Sequence, residues 1–219
     1  MSADLKVFIS ETHNPYFNLA TEDWIFRDMH PDTYVLFLWR NQENVVIGRF
    51  QNPWVECHLE KMNQDGGRLT RRQSGGGAVY QDLGNSCFTF MSGRSSYNKA
   101  RNNDVILRAL ARFGVNAQAS GRNDIVVEMG DGPRKISGSA FKENKDRCFH
   151  HGTLLINTDL GKLVHYLNPS KKKLEAKGIA SVRSRVANIS EFNPQVRHES
   201  LCQAIIQEFF KLHGRECPV

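Results

Sequence analysis

Three consecutive glycines, Gly75-Gly76-Gly77, follow the pair Arg71-Arg72 and the bridge Gln73-Ser74. They lead into Ala78-Val79-Tyr80 and then the polar stretch Gln81-Asp82-Leu83-Gly84-Asn85. Glycine lacks a Cβ, so the backbone here can take positive φ and approach a ligand closely. Successive N–H groups in such a turn form a concavity that attracts anions. Arg71 and Arg72 add fixed charge and fork-shaped donors suited to carboxylate or phosphate. The first expectation is a site for a negatively charged small molecule, with the loop folded over it. A flexible hairpin turn between two strands is the competing expectation. No Gly-Lys-Ser/Thr ends the stretch and the dinucleotide spacing is missing, so neither of those two nucleotide loops applies.

The 219 residues suffice for one large domain or two small ones, with a sizeable core. A net charge of +6 fits an anionic ligand but is mild for a dedicated nucleic-acid binder, and no RNA-binding aromatic motif accompanies it. No run approaches the ~18 apolar residues of a membrane span, and no signal peptide is expected from Met1-Ser2-Ala3-Asp4, which no apolar run follows. The five cysteines, Cys57, Cys87, Cys148, Cys202 and Cys217, are odd in number and scattered. They read as reduced thiols, mostly core fillers, of a cytoplasmic protein. Cys148 with His150 and His151 lacks the second ligand cluster that a zinc site needs.

Along the chain, Leu5–Ser10 reads as a strand. Asn14-Pro15 opens a helix to Met29, with Phe17, Ala20, Trp24 and Ile25 on its apolar face. Val35–Trp39 and Val45–Gly48 read as a hairpin about the polar Arg40–Asn44. Pro53–Met62 reads as one short helix. Further strands are expected at 68–71, 78–80, 87–91, 124–127, 135–137 and 153–156. Helices are expected at 102–113, 160–167 and 200–212, the first with Val105, Ile106, Ala109, Leu110 and Phe113 on one face. Antiparallel hairpins with interspersed helices make this an α+β chain, mostly antiparallel sheets packed with helices, without an obvious linker.

Several residues are candidates for chemistry. Lys135 follows a tight turn and precedes the small residues Ser137-Gly138-Ser139-Ala140, which leave room for an anion beside the ammonium; an exposed strand lysine is the alternative. Asp124, in Gly121-Arg122-Asn123-Asp124, suits Mg²⁺ or an adenine amino group, or else an Asx turn. His150-His151-Gly152-Thr153 offers a base or a structural histidine. The basic segment from Lys171 to Val186 is a solvated face or a loop closing on an anion.

Taken together, these blocks closely resemble the signature of the lipoate–protein ligase A family. The resemblance is carried by Arg71-Arg72-x-Ser74-Gly75-Gly76-Gly77-Ala78-Val79, Asp82-x-Gly84-Asn85 and Ser120–Asp124. It continues through Lys135-x-Ser137-Gly138-Ser139-Ala140, His150–Leu155 and Lys177-Gly178-Ile179-x-Ser181-Val182-x-Ser184-Arg185-Val186. Asn14-Pro15-x-Phe17-Asn18-Leu19-Ala20 and Val46–Trp54 belong to it, so it spans residues 9 to about 210.

The resemblance implies a catalytic domain over residues 1–219, with a fold like that of biotin and lipoate protein ligases. It implies that lipoate and ATP, with Mg²⁺, give lipoyl-AMP and pyrophosphate. The lipoyl group then passes to a lysine of a lipoyl domain of a 2-oxoacid dehydrogenase complex, or of the glycine-cleavage H protein. By motif, Arg72, Ser74, Gly75, Gly76, Gly77, Ala78, Val79 and Tyr80 line the lipoate and adenylate pocket, with Ala140 and Thr153 completing its wall. Asn85 and Asp124 contact the nucleotide, Asp124 also the Mg²⁺, and Lys135 the reacting carboxylate or α-phosphate. Lys177, Gly178, Ser181, Arg183 and Arg185 belong to the loop that closes over the intermediate. Leu36, Phe37, Trp39, Val46 and Val79 are candidates for an apolar tunnel for the tail. The family often has histidine where this chain has Gln81, which hydrogen-bonds without carrying charge. The usual C-terminal accessory domain is not expected in this chain. Relatives of that kind adenylate with a separate partner, or act as lipoyl or octanoyl transferases on a preformed acyl donor.

Overall fold

The computed structural model describes residues 4–168 and 186–219. Seven strands form the main sheet: β1 (Asp4–Ile9), β2 (Thr33–Trp39), β6 (Asn85–Gly93), β10 (Arg147–Leu155), β9 (Gly132–Glu143), β8 (Asp124–Met129) and β7 (Ala117–Ser120), in that spatial order. Within this sheet the β1–β2 pair alone is parallel among the described strands. A small second sheet has the order β4 (Arg68–Arg71), β3 (Asn44–Ile47), β5 (Val79–Gln81). The architecture is α+β and mostly antiparallel, as the pattern of hairpins and helices implies.

Strand periodicity of two explains the layers. Leu36, Leu38, Phe88 and Phe90 point to one face of the main sheet. There they meet Val105, Ile106, Ala109 and Leu110 of α4 (Lys99–Ala111) and Leu201, Ile205 and Phe209 of α6 (His198–His213). Val35, Phe37, Trp39, Cys87 and Met91 point to the other face, against Ile25, Phe26 and Met29 of α1 (Pro15–Asp28) and its end. A third cluster packs the small sheet on α3 (Leu59–Gln64) and α5 (Leu160–Tyr166). No described helix is long and apolar enough to cross a membrane.

Three sequence expectations are corrected. The hairpin expected between Val35–Trp39 and Val45–Gly48 does not form. Strand β2 already has β1 on one edge and β6 on the other, so β3 starts the second sheet. The helix expected over Pro53–Met62 is two: α2 (Pro53–Glu56) stops at Cys57, which bridges to Leu167, before α3 begins. The buried face of α1 is also not the expected one. Phe17, Ala20 and Trp24 are exposed, while Asn18, Glu22, Ile25 and Phe26 face inward. The polar pair on that inner face is accommodated because both side chains find partners at the site described next.

The glycine loop is not a hairpin turn. Its flanking strands β4 and β5 lie on opposite sides of β3, so Gly75–Gly77 crosses over the end of the small sheet.

Candidate active site

The loop crosses onto the α1 face of the main sheet and encloses a cavity with it. The lining comes from Leu19 of α1, Trp39 of β2, Val46 of β3, the segment Gly76–Val79 with Arg72, and Gln81 of β5. Asn123, Asp124 of β8, Lys135 and Gly138–Ala140 of β9, and His151–Thr153 of β10 complete it. From β2 to β8 the cavity crosses four inter-strand steps, about 19 Å at the usual strand spacing. The shape suits an elongated ligand. One end is apolar, with Leu19, Trp39, Val46 and Val79; the other holds Asp124 and Lys135.

The twin arginines build the loop itself. Arg71 Nη1 reaches the main-chain oxygens of Gly48, Arg49 and Gln51 at 2.8–3.1 Å. Arg72 Nη2 donates to Gly75 O and Gly77 O at 2.7 Å, Nη1 to Val46 O, and Nε to Ser74 Oγ at 3.0 Å. Burial lowers the Arg72 pKa to about 10, and the Glu22 carboxylate opposes that shift. Arg72 therefore brings positive charge to the pocket wall while most of its donors hold carbonyls. Gly48 and Gly76 lie back to back; a Cβ on Gly48 would strike Gly76 O. Gly76 itself sits at φ +93°, a conformation that favours glycine.

From Arg72 a hydrogen-bonded chain runs under the cavity. Ser74 Oγ lies 2.7 Å from His151 Nε2, and His151 Nδ1 lies 2.8 Å from Glu22 Oε1. An ionised carboxylate only accepts, so Nδ1 carries the proton. In the neutral ring, Nε2 then accepts from the Ser74 hydroxyl. Glu22 also accepts from Thr89 Oγ1 at 2.6 Å, and Thr89 accepts from Trp39 Nε1 at 3.2 Å. The chain fastens the glycine loop to β10, α1 and β6. His151 is thus a positioning group rather than a free base.

At the polar end Lys135 Nζ pairs with Asp124 Oδ1 at 2.7 Å. Room for the ammonium comes from Gly138, where a Cβ would lie 2.7 Å from Nζ. The Lys135 backbone is pinned, its carbonyl accepting from Ala187 N at 3.0 Å. Asn123 Oδ1 is buried beside this pair and meets no protein donor among the described residues. Among the described residues that line the cavity, Asp124 is the one carboxylate. Among the described residues no group of three or more acidic, histidine or cysteine side chains is gathered as a metal site.

The structure brings together Arg72, Gly76, Gly77, Ala78, Val79, Asp124, Lys135, Ala140 and Thr153. Ser74 and Gly75 lie just behind this lining, bonded to Arg72. Tyr80 does not face the cavity; it is buried in the third core cluster, 5.8 Å from the Tyr166 ring. Asn85 is fully buried at the start of β6, outside the lining. Trp39, Val46 and Val79 of the expected tunnel line the cavity, whereas Leu36 and Phe37 fill the two cores flanking the sheet. Lys177, Gly178, Ser181, Arg183 and Arg185 lie outside the described residues. Sequence reasoning assigned no role to Glu22, Asn123 and Leu19. For Glu22 a signal existed: Asn18, Glu22 and Phe26 recur every four residues, one helical face.

Among the described residues no cysteine lines the cavity. Burial pushes the thiols of Cys57, Cys87, Cys148 and Cys202 upward, which makes them poor nucleophiles.

Residues 14–210 match the family Lipoyl protein ligase A/B catalytic domain. Among solved structures, P. falciparum LipL1 in complex with lipoate is similar at a TM-score of 0.83 and 39% identity, over 96% of this chain and 62% of that one. This chain therefore spans less than two thirds of that relative's length. A bi-partite lipoate protein ligase from Thermoplasma acidophilum, described with its E2 lipoyl domain, is similar at a TM-score of 0.86 and 28% identity, over 98% and 86% of the two chains. A lipoate-protein ligase A bound with ATP is similar at 0.83 and 27%, over 100% and 88%.

Proposed function

This chain belongs to the Lipoyl protein ligase A/B catalytic domain family, and from that premise we propose that it activates lipoate with ATP and passes the lipoyl group to a lysine of a lipoyl domain. The observation that carries the reading is the two-ended cavity. An apolar end walled by Trp39, Val46 and Val79 opens onto the Lys135–Asp124 pair, with the glycine loop across it. Such a cavity takes a hydrocarbon-like tail at one end and charged groups at the other. Relatives described with lipoate, with ATP and with a lipoyl domain support the same reading.

The chemistry needs two anions to meet. The lipoate carboxylate attacks the α-phosphorus of ATP; a carboxyl–phosphate bond forms, the α–β phosphoanhydride bond breaks, and pyrophosphate leaves. Lys135 lowers the repulsion between carboxylate and phosphate. Arg72 adds positive potential, and the amides of Gly76, Gly77 and Ala78 offer a cradle. The buried Asn123 oxygen awaits a donor that the described residues do not supply, which suits the amino groups of a nucleotide. Asp124 is the residue that would hold Mg²⁺, through one carboxylate. One carboxylate with the remaining ligands from phosphate and water is an ordinary setting for that ion, whose bound charge favours phosphoryl chemistry. The acceptor lysine then attacks the acyl carbon, and AMP departs with the bonding electrons.

Acceptors of this chemistry include lipoyl domains of 2-oxoacid dehydrogenase complexes and the glycine-cleavage H protein. A separate accessory protein that aids adenylation fits the same scheme. Incubating the protein with lipoate, MgATP and an apo lipoyl domain, then weighing the acceptor, tests the reading. A gain of one lipoyl group that depends on ATP is expected. Acceptor modified from a lipoyl or octanoyl carrier thioester without ATP would instead make the protein a transferase.

A further inference from the structure

A row of buried amides leads from the start of α1 to the cavity wall. Asn18 and Asn41 are fully buried, and Gln81 nearly so. Asn18 Nδ2 lies 3.1 Å from the main-chain oxygens of both Thr12 and Arg40. Carbonyls only accept, so the polarity of this amide is fixed by its surroundings. Its Oδ1 accepts from the Ser10 hydroxyl at 2.5 Å, and its Nδ2 faces Asn41 Oδ1 at 2.9 Å. Asn41 must then present its own Nδ2 onward, and it does, to Gln81 Oε1 at 2.8 Å. Three side chains in series, Ser10, Asn18 and Asn41, thus decide which way Gln81 points. Its oxygen is turned inward. Its Nε2, with no hydrogen bond among the described residues, is left for the cavity that Gln81 lines.

The other polar groups near that end are already bonded: the Arg72 guanidinium, beside Val46, holds Val46 O, Gly75 O, Gly77 O and Ser74 Oγ. Trp39 has its N–H tied to Thr89, and both His151 nitrogens are tied to Ser74 and Glu22. Leu19, Val46 and Val79 carry no polar side-chain atoms. We infer that Gln81 is a specificity-determining residue, whose fixed amide donor selects an acyl tail carrying a weak acceptor, such as the sulfur pair of a cyclic disulfide, over a plain hydrocarbon tail. A tail seated here removes water from the donor. Hydrocarbon leaves the N–H unanswered, whereas sulfur accepts it weakly. Because an amide does not titrate, the selection holds across the pH range.

This inference rests on the lipoate reading above, and the test separates the two. Dissociation constants for lipoate and octanoate are measured by titration calorimetry on the full chain, on Gln81→Met and on Asn41→Leu. The wild type is expected to favour lipoate by roughly tenfold, the factor set by about 1.4 kcal/mol. Gln81→Met is expected to bring the ratio close to one. Asn41→Leu keeps Gln81 but frees it to turn, and is expected to reduce the ratio as well, which a merely space-filling Gln81 would not produce. Equal binding of both acids by the wild type, or an undiminished ratio in Gln81→Met, overturns the inference and leaves the activity intact. Should Gln81→Met fail to fold, the wild-type ratio and Asn41→Leu decide. A folded wild type that binds neither acid overturns the activity, and the inference with it.

Discussion

The Ser74 hydroxyl and His151 Nε2 stand 2.7 Å apart, joining the glycine loop to the strand beneath it. Both residues are buried, so the bond has no water to replace it cheaply. Ser74→Ala strands the histidine nitrogen and leaves Arg72 Nε with Gly75 O alone. The loss expected is about 1–3 kcal/mol. That corresponds to a melting midpoint lower by roughly 2–12 °C. Calorimetry checks it, and a midpoint unchanged within a degree would show that the loop does not depend on this link.

Two glycines facing the cavity are predicted to fail in different ways. An alanine at Gly138 would place its Cβ 2.7 Å from Lys135 Nζ, the far end of a flexible side chain. The lysine swings aside at small cost in stability, but it leaves its position beside Asp124. Adenylate formation by Gly138→Ala is expected to fall by at least tenfold with an almost unchanged melting midpoint. At Gly152 the Cβ would lie 2.5 Å from the buried Phe88 ring, which cannot retreat. Gly152→Ala is expected to lose about 1–3 kcal/mol through overpacking. Pyrophosphate release and thermal melts on both variants separate the cases.

Lys135→Ala removes the charge that faces the reacting anions and leaves the Asp124 carboxylate without its ammonium partner. A fall of about 10²–10³ in the rate of lipoyl-AMP formation is expected, the size typical of one lost electrostatic contact. Transfer from presynthesised lipoyl-AMP to the acceptor should suffer less. If both half-reactions lose equally, Lys135 acts on the bound adenylate and not on its formation.

The polar end of the site was legible in residue types. Lys135, Asp124 and the glycine run announce themselves by turn chemistry and charge, and the structure places them around one cavity. The machinery behind them was not. Glu22, Asn18 and Asn41 look like solvent-facing residues, because polarity is normally a surface signal. They are buried because each hydrogen-bonds to a group from another segment, and such long-range pairing leaves no local mark. The same blindness produced the hairpin expectation. Arg40–Asn44 reads as a polar turn, yet Asn41 and Asn44 are buried where the chain passes from one sheet to the other. Phe17 and Trp24 mislead in the opposite sense, as exposed aromatics that periodicity assigns to the core.

Arg72→Lys tests whether the buried guanidinium is a scaffold. A lysine keeps the charge but cannot bridge Val46 O, Gly75 O and Gly77 O at once. Loss of about 2–4 kcal/mol is expected from carbonyls left without donors. Proteolysis at the glycine loop should accelerate. A variant as stable and as protease-resistant as the wild type would show that charge alone suffices.

Acid should weaken the fold through its buried imidazoles, His150 first. The ring is fully buried between Phe88 and Phe141, and neither nitrogen meets a partner among the described residues. Burial, with His151 and Lys99 adding to it, lowers its pKa from 6.5 to about 3. Between those values the unfolded chain holds a proton that the folded chain refuses. The contribution of His150 is therefore complete above pH 6.5 and declines as pH falls toward 3, by at most about 1.4 kcal/mol per unit. His198 and His213, held down to about 4 mainly by burial, act in the same direction. Both are only partly buried, so solvent reduces their share. His150→Leu removes the titration and two unpaired polar atoms together. It is expected to be more stable than the wild type at pH 7.5 and to lose less stability on going to pH 5. Urea melts at the two pH values give both numbers, and an identical pH dependence in the variant would move the acid sensitivity to other groups.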